Sequence, residues 1–108
     1  MATDVKLGGI YPDAEPLHGK QTASAGGTRL QVNGGTAVPL ISHGVATIRA
    51  LPGNASPIYV GNSTVDDTNG MILQPEEDLS EIHVADLSLY YVYIITAGDG
   101  FAWIAETQ

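Results

Sequence analysis

The sequence predicts an all-β fold, a single β-sandwich or jelly-roll-like domain with an extended N-terminal arm. Three observations predict it. Its apolar stretches are short and rich in Val, Ile, Thr and Tyr, which suit a pleated, half-buried surface. Gly, Pro, Asn, Ser and Thr recur too often to leave a window of helical period. Turn residues fall every eight to twelve positions, the spacing at which short strands close into a sandwich or barrel, with Greek-key and jelly-roll windings both open. A chain of 108 residues fits one domain with one ordinary core, and without cysteine that core rests on packing alone.

Residues 1–19 read as the arm. Gly8-Gly9, Pro12 and Pro16 interrupt sparse apolar residues (Val5, Leu7, Ile10, Tyr11) and leave no alternation long enough for a strand. Two readings of the arm stay open: a frayed terminus, or a strap that orders against a neighbouring subunit. Residues 20–108 are the β-domain, with about eight strands. In residues 28–32, Leu30 and Val32 fall on one face and Arg29 and Gln31 on the other. Residues 45–51 place Ala46, Ile48 and Ala50 inward and Thr47 and Arg49 outward, ending at the turn Leu51-Pro52-Gly53-Asn54. Residues 57–61 bury Ile58 and Val60, and Asn69-Gly70 signals a hairpin. Glu76-Glu77-Asp78 with Glu81 reads as a solvated loop, followed by a strand at Ile82-His83-Val84 with Ile82 and Val84 inward. Residues 90–95 are apolar or aromatic on both faces, as in a central strand or one whose outer face meets another subunit. Ala97-Gly98-Asp99-Gly100 then suggests a hairpin into Phe101-Ala102-Trp103-Ile104.

The formal charge is −8, and its distribution is uneven. All four basic residues (Lys6, Lys20, Arg29, Arg49) precede residue 50, whereas the remainder holds nine acidic residues and no Lys or Arg. Such a surface repels phosphate backbones, so no nucleic-acid partner is expected. The acidity serves solubility or steers the protein toward a basic partner. The start MATDVKLGG lacks a basic n-region and a long apolar h-region, and no apolar run approaches the roughly 20 residues that span a bilayer. Neither secretion by that route nor a membrane partner is expected.

No catalytic constellation stands out, and an enzyme is not expected. His18, His43 and His83 lie in different segments without metal-ligand spacing, and no serine sits in a G-x-S-x-G context. Asp67, Asn69, Gly70, Ile72 and Glu76 fall at calcium-loop positions, but Val65 stands where the first acidic ligand belongs, and a turn is the more economical account. The sequons at Asn54 and Asn62 read as accidental without a secretory signal. No catalytic residue, metal or cofactor is therefore assigned.

Residues 45–105 carry a pattern in order: Ile48-Arg49-Ala50-Leu51-Pro52-Gly53-Asn54, Ile58-Tyr59-Val60-Gly61-Asn62-Ser63-Thr64-Val65, Gly70-Met71-Ile72-Leu73-Gln74-Pro75-Glu76-Glu77, Asp86-Leu87-Ser88-Leu89-Tyr90, and a Gly-Asp-Gly turn before the last strand. This resembles small virion structural proteins of tailed bacteriophages. The resemblance implies a β-sandwich virion protein, foremost a capsid decoration or cement protein that binds and stabilises the head shell. A neck or tail component, or a receptor- or carbohydrate-binding module of a tail or fibre, is the alternative. The implied location is the capsid surface, after assembly in the host cytoplasm. The implied partners are the major capsid protein and further copies of the chain, as a trimer or dimer. The expected capsid or subunit interface comprises Val5, Leu7, Ile10 and Tyr11 of the arm with Tyr90, Tyr91 and Tyr93. The tyrosines suit contacts because aromatics offer large buried area at small entropic cost, although they also suit the domain's own core.

Overall fold

The computed structural model describes residues 15–107, which are mostly β, in two four-stranded antiparallel sheets. The strands are β1 (Glu15–Thr22), β2 (Thr28–Gln31), β3 (Ala46–Ala50), β4 (Ile58–Gly61), β5 (Met71–Leu73), β6 (Asp78–Ile82), β7 (Tyr91–Ile94) and β8 (Gly100–Thr107). Two short 3₁₀ turns, Val32–Gly35 and Leu87–Leu89, are the only helical elements among the described residues. The first sheet has the order β1-β8-β3-β6 and the second β2-β7-β4-β5. Together they hold four antiparallel pairs nested within one another, β4 with β5, β3 with β6, β2 with β7 and β1 with β8.

Alternation places the core. In β3 the buried residues are Ala46, Ile48 and Ala50, as the sequence predicts, and in β4 they are Ile58 and Val60. Phe101, Trp103 and Ala105 of β8 join Ile48 from the first sheet, and Val92 and Ile94 of β7 join Ile58 from the second, in one hydrophobic cluster. Full burial of each large side chain contributes roughly 1.5–3 kcal/mol.

The structure corrects four expectations. The arm was expected to run to residue 19, but β1 begins at Glu15 and pairs with β8 along its whole length, from Glu15 opposite Thr107 to Thr22 opposite Gly100. Residues 1–14 lie outside the described residues. Second, the segment at 97–100 is not a hairpin: β7 pairs with β2 and β4 while β8 pairs with β1 and β3, so the chain crosses from one sheet to the other.

Third, the acidic run is partly strand, since Asp78–Ile82 forms β6 and His83 and Val84 lie beyond it. The cause is a bulge: Ala46 faces Ile82 and Ile48 faces Leu79, so three steps along β6 match two along β3, and Glu81 takes a positive φ of 58°. Leu79 and Ile82 both pack against the core although they are three positions apart, a spacing that puts residues of a regular strand on opposite faces. Fourth, β4 and β5 do form a hairpin, but Asn69-Gly70 is not its two-residue turn. Residues 62–70 make a longer loop in which Asn69 Oδ1 accepts from Asp66 N–H (2.9 Å) and Asn69 Nδ2 donates to Thr64 C=O (3.3 Å).

Asp86 stitches two connections together. Its Oδ1 accepts from the N–H of Val38 (2.8 Å), the N–H of Ser88 (2.9 Å) and the Ser88 hydroxyl (2.8 Å). The Val38 N–H, then the Ser88 hydroxyl, hold its carboxyl below the usual range against an opposing effect of burial. A carboxyl pKa depressed by folding stabilises above the unfolded value of about 3.9, and that contribution disappears as pH falls through the folded pKa. The wild type is therefore expected to lose more stability than Asp86→Asn on going from about pH 5 to pH 2, as read by urea midpoints across that range. Parallel acid limbs in the two proteins would show that Asp86 contributes no such linkage.

Candidate functional site

Each sheet has an outer face, and the two differ. On the second sheet, Tyr59, Tyr91 and Tyr93 point away from the core in half-buried positions, with Tyr93 flanked by Arg29 on one side and Tyr59 on the other. Ile72 extends that row and is 45% exposed. The 62–70 loop folds over this face. Arg29 Nε donates to the Val65 carbonyl at 2.8 Å, reaching from β2 past β7, and Val65 is 1% exposed against Gly61 and Gly70. Within the loop Asp66 Oδ1 accepts from the Thr68 hydroxyl and N–H, which together with Arg29 lower its pKa. Of the residues that suggested a calcium loop, Asn69 thus holds the loop's own backbone, as Asp66 does beside it. Among the described residues no group of three or more His, Asp or Glu side chains is arranged to hold a metal ion.

The outer face of the first sheet is open. Its central strand β8 presents Ala102, Ile104 and Glu106 outward, because Phe101, Trp103 and Ala105 point inward. Ala102 lies between Lys20 of β1 and Arg49 of β3, and Ile104 lies between His18 and Thr47. The surface dips over the small Ala102, forming a shallow depression bordered by Lys20, Arg49, Asp78 and Ile104. Ile104 is 50% exposed at its rim. Two of the three described Lys and Arg residues meet on this face of an otherwise acidic chain. Arg49 Nε donates to the Glu76 carbonyl at 3.2 Å, and Glu106 Oε1 accepts from the Val45 N–H at 3.0 Å.

Behind this face sits Trp103, whose Nε1 is buried without a hydrogen-bond partner. Gly19, opposite it on β1, leaves the space that the indole fills.

The residues singled out from the sequence do not form one site. Val5, Leu7, Ile10 and Tyr11 lie outside the described residues. Tyr90 caps the second 3₁₀ turn and packs against the core, while Tyr91 and Tyr93 stand on the outer face of the central strand β7. The open face built on Lys20, Arg49, Ala102 and Ile104 was not identified as a site in the sequence. Its signal was alternation in two strands, residues 46–50, where Thr47 and Arg49 read as outward, and residues 101–107.

No family model, no curated protein and no solved structure matches the chain. Among the described residues no helix is long and apolar enough to cross a membrane.

Proposed function

We propose that the chain is a jelly-roll virion protein, a capsid decoration protein that binds the head shell of a tailed phage together with further copies of itself. The observation that carries this reading is the strand order. Eight strands in sheets β1-β8-β3-β6 and β2-β7-β4-β5 have the nested antiparallel pairing from which a jelly roll is wound, an architecture used by viral capsid and lectin domains. The sequence pattern that resembles phage virion proteins runs from β3 to β8, so it follows the winding rather than one loop.

The N-terminal strap is part of the same proposal. β1 lies at the margin of its sheet, so the segment before Glu15, with Val5, Leu7, Ile10 and Tyr11, is attached where it can reach a neighbour. Deleting residues 1–14 keeps the whole of β1, whereas a deletion through residue 19 would remove most of it, Glu15 to Gly19. The truncated protein is expected to melt like the full chain and to bind shells poorly in a co-sedimentation assay with purified heads. Equal shell binding by both would remove the strap. Absence of the protein from purified virions, read by quantitative mass spectrometry, would remove the virion reading.

The tyrosine row on the second sheet favours a second reading, a lectin-like module, because stacked sugars are held by aromatic faces. A glycan array separates the two readings.

A further inference from the structure

We infer that the outer face of the first sheet is a self-complementary surface that pairs two copies of the chain about a two-fold axis through Ile104. This goes beyond the virion reading and does not depend on it. The argument begins with spacing. Ala102, Ile104 and Glu106 are the outward residues of the central strand, each two residues from the next and so about 6.8 Å apart along it. Ile104 stands midway between a small residue flanked by two cations and an exposed carboxylate. On one side Ala102 has Lys20 and Arg49 as its cross-strand neighbours, and on the other is Glu106, beside Pro16.

A two-fold axis lying in the face, perpendicular to β8 and passing through Ile104, reverses the strand direction in the second copy. It sets Ile104 against Ile104, along a row that also holds His18 and Thr47. The same operation sets Glu106 of one copy over Ala102 of the other. Facing sheets pack about 10 Å apart, a distance that a glutamate, a lysine and an arginine span with their side chains. The carboxylate then enters the dip over Ala102, between the Lys20 ammonium and the Arg49 guanidinium, and symmetry repeats the contact at the other end. Isologous interfaces require this kind of self-matching. Glu106 commits only Oε1 to the Val45 N–H, and Arg49 commits only Nε to the Glu76 carbonyl, so both retain polar atoms for the partner.

Charge selects a second copy for this face. The chain carries −8, and two copies repel each other over most of their surfaces. On this face Lys20 and Arg49 offset Asp78 and Glu106, with Glu81 of β6 exposed at its margin, so like-charge repulsion is weaker here than over the rest of the surface. The opposite outer face is partly closed by the 62–70 loop, and its cation Arg29 is engaged with Val65. A footprint limited to one face of a four-stranded sheet belongs with weak, transient interfaces.

Sedimentation velocity of the full chain, from about 10 μM to about 1 mM, is the test, since weak interfaces of this size assemble at such concentrations. A reversible monomer–dimer equilibrium is expected. Glu106→Lys, and separately Lys20→Glu with Arg49→Glu, should each weaken it at least about tenfold, because a matched charge pair becomes a like-charge clash. All three changes together should restore dimerisation toward the wild-type value. Ile104→Arg, at a half-exposed position that the fold does not need, should give a monomer with unchanged far-UV circular dichroism. A wild type that stays monomeric throughout, a triple variant no tighter than its parents, or a dimer indifferent to Ile104→Arg would each overturn the inference. All are read on free protein, so failure here leaves the virion reading standing.

Discussion

Asp99→Ala is expected to lower the unfolding free energy by about 4 kcal/mol, the largest loss among the substitutions considered. Asp99 is 4% exposed. Its Oδ1 accepts from the Ala55 N–H at 2.8 Å and its Oδ2 from the Ser56 N–H at 3.0 Å. Hydrogen bonds to a charged acceptor contribute roughly 1.5–3 kcal/mol each, and removing the acceptor leaves two partly buried N–H groups without one. The same residue's backbone ties in a third segment, because Ala23 N–H donates to Asp99 C=O at 2.9 Å. Next to it, the Asn54 amide pairs with Gly100 in both directions at 2.9 Å, as a neighbouring strand would. Asp99→Asn should lose about half as much, since one oxygen becomes a donor facing a donor. For a domain of this size, 4 kcal/mol corresponds to a fall in Tm of roughly 20 °C. A urea midpoint shift equivalent to less than about 1 kcal/mol for Asp99→Ala would show that the turn is held by something else.

Gly19→Val is expected to cost about 3 kcal/mol, the upper end for overpacking a core. A Cβ at residue 19 would stand 2.8–2.9 Å from three ring atoms of Trp103. The ring is rigid and 4% exposed, so it cannot swing aside as a flexible side chain would. Because Trp103 is the single tryptophan, its emission reports the displacement directly, and a red shift should accompany the lost stability. Gly53→Ala provides the control, since a Cβ there meets nothing within 4 Å and should change stability by less than about 0.5 kcal/mol. An unshifted spectrum with wild-type stability in Gly19→Val would disprove the contact.

The particular residues explain what the sequence revealed. Ala46, Ile48, Ala50, Ile58 and Val60 were legible as core because strict alternation runs unbroken along β3 and β4, the bulge between β3 and β6 placing its extra residue in β6. β6 was hidden because its bulge at Glu81 breaks that alternation, leaving Leu79 and Ile82 at the wrong spacing beneath a run of carboxylates. β1 was hidden for a different reason: as an edge strand it carries Pro16 and Gly19, which look like breakers although an edge tolerates them. The error at 97–100 was one of topology, since a tight turn between two strands looks the same whether the chain stays in its sheet or leaves it. The face around Ala102 required the register of β1, β8 and β3, a long-range fact that local patterning does not encode.

Nested pairing also ranks the strand pairs by the entropy of bringing them together. β4 and β5 are separated only by the 62–70 loop and close at the lowest cost, whereas β3–β6, β2–β7 and β1–β8 each enclose the pair before them. Assembly from the inside outward therefore avoids closing any long loop without the shorter one already formed. β1 is made first in the described chain, and on that order it would dock last, since its partner β8 is made at the other end. Until then the inward face of β8's neighbours is uncovered along the side that Trp103 and Gly19 will seal, and the order of synthesis runs opposite to the order of need.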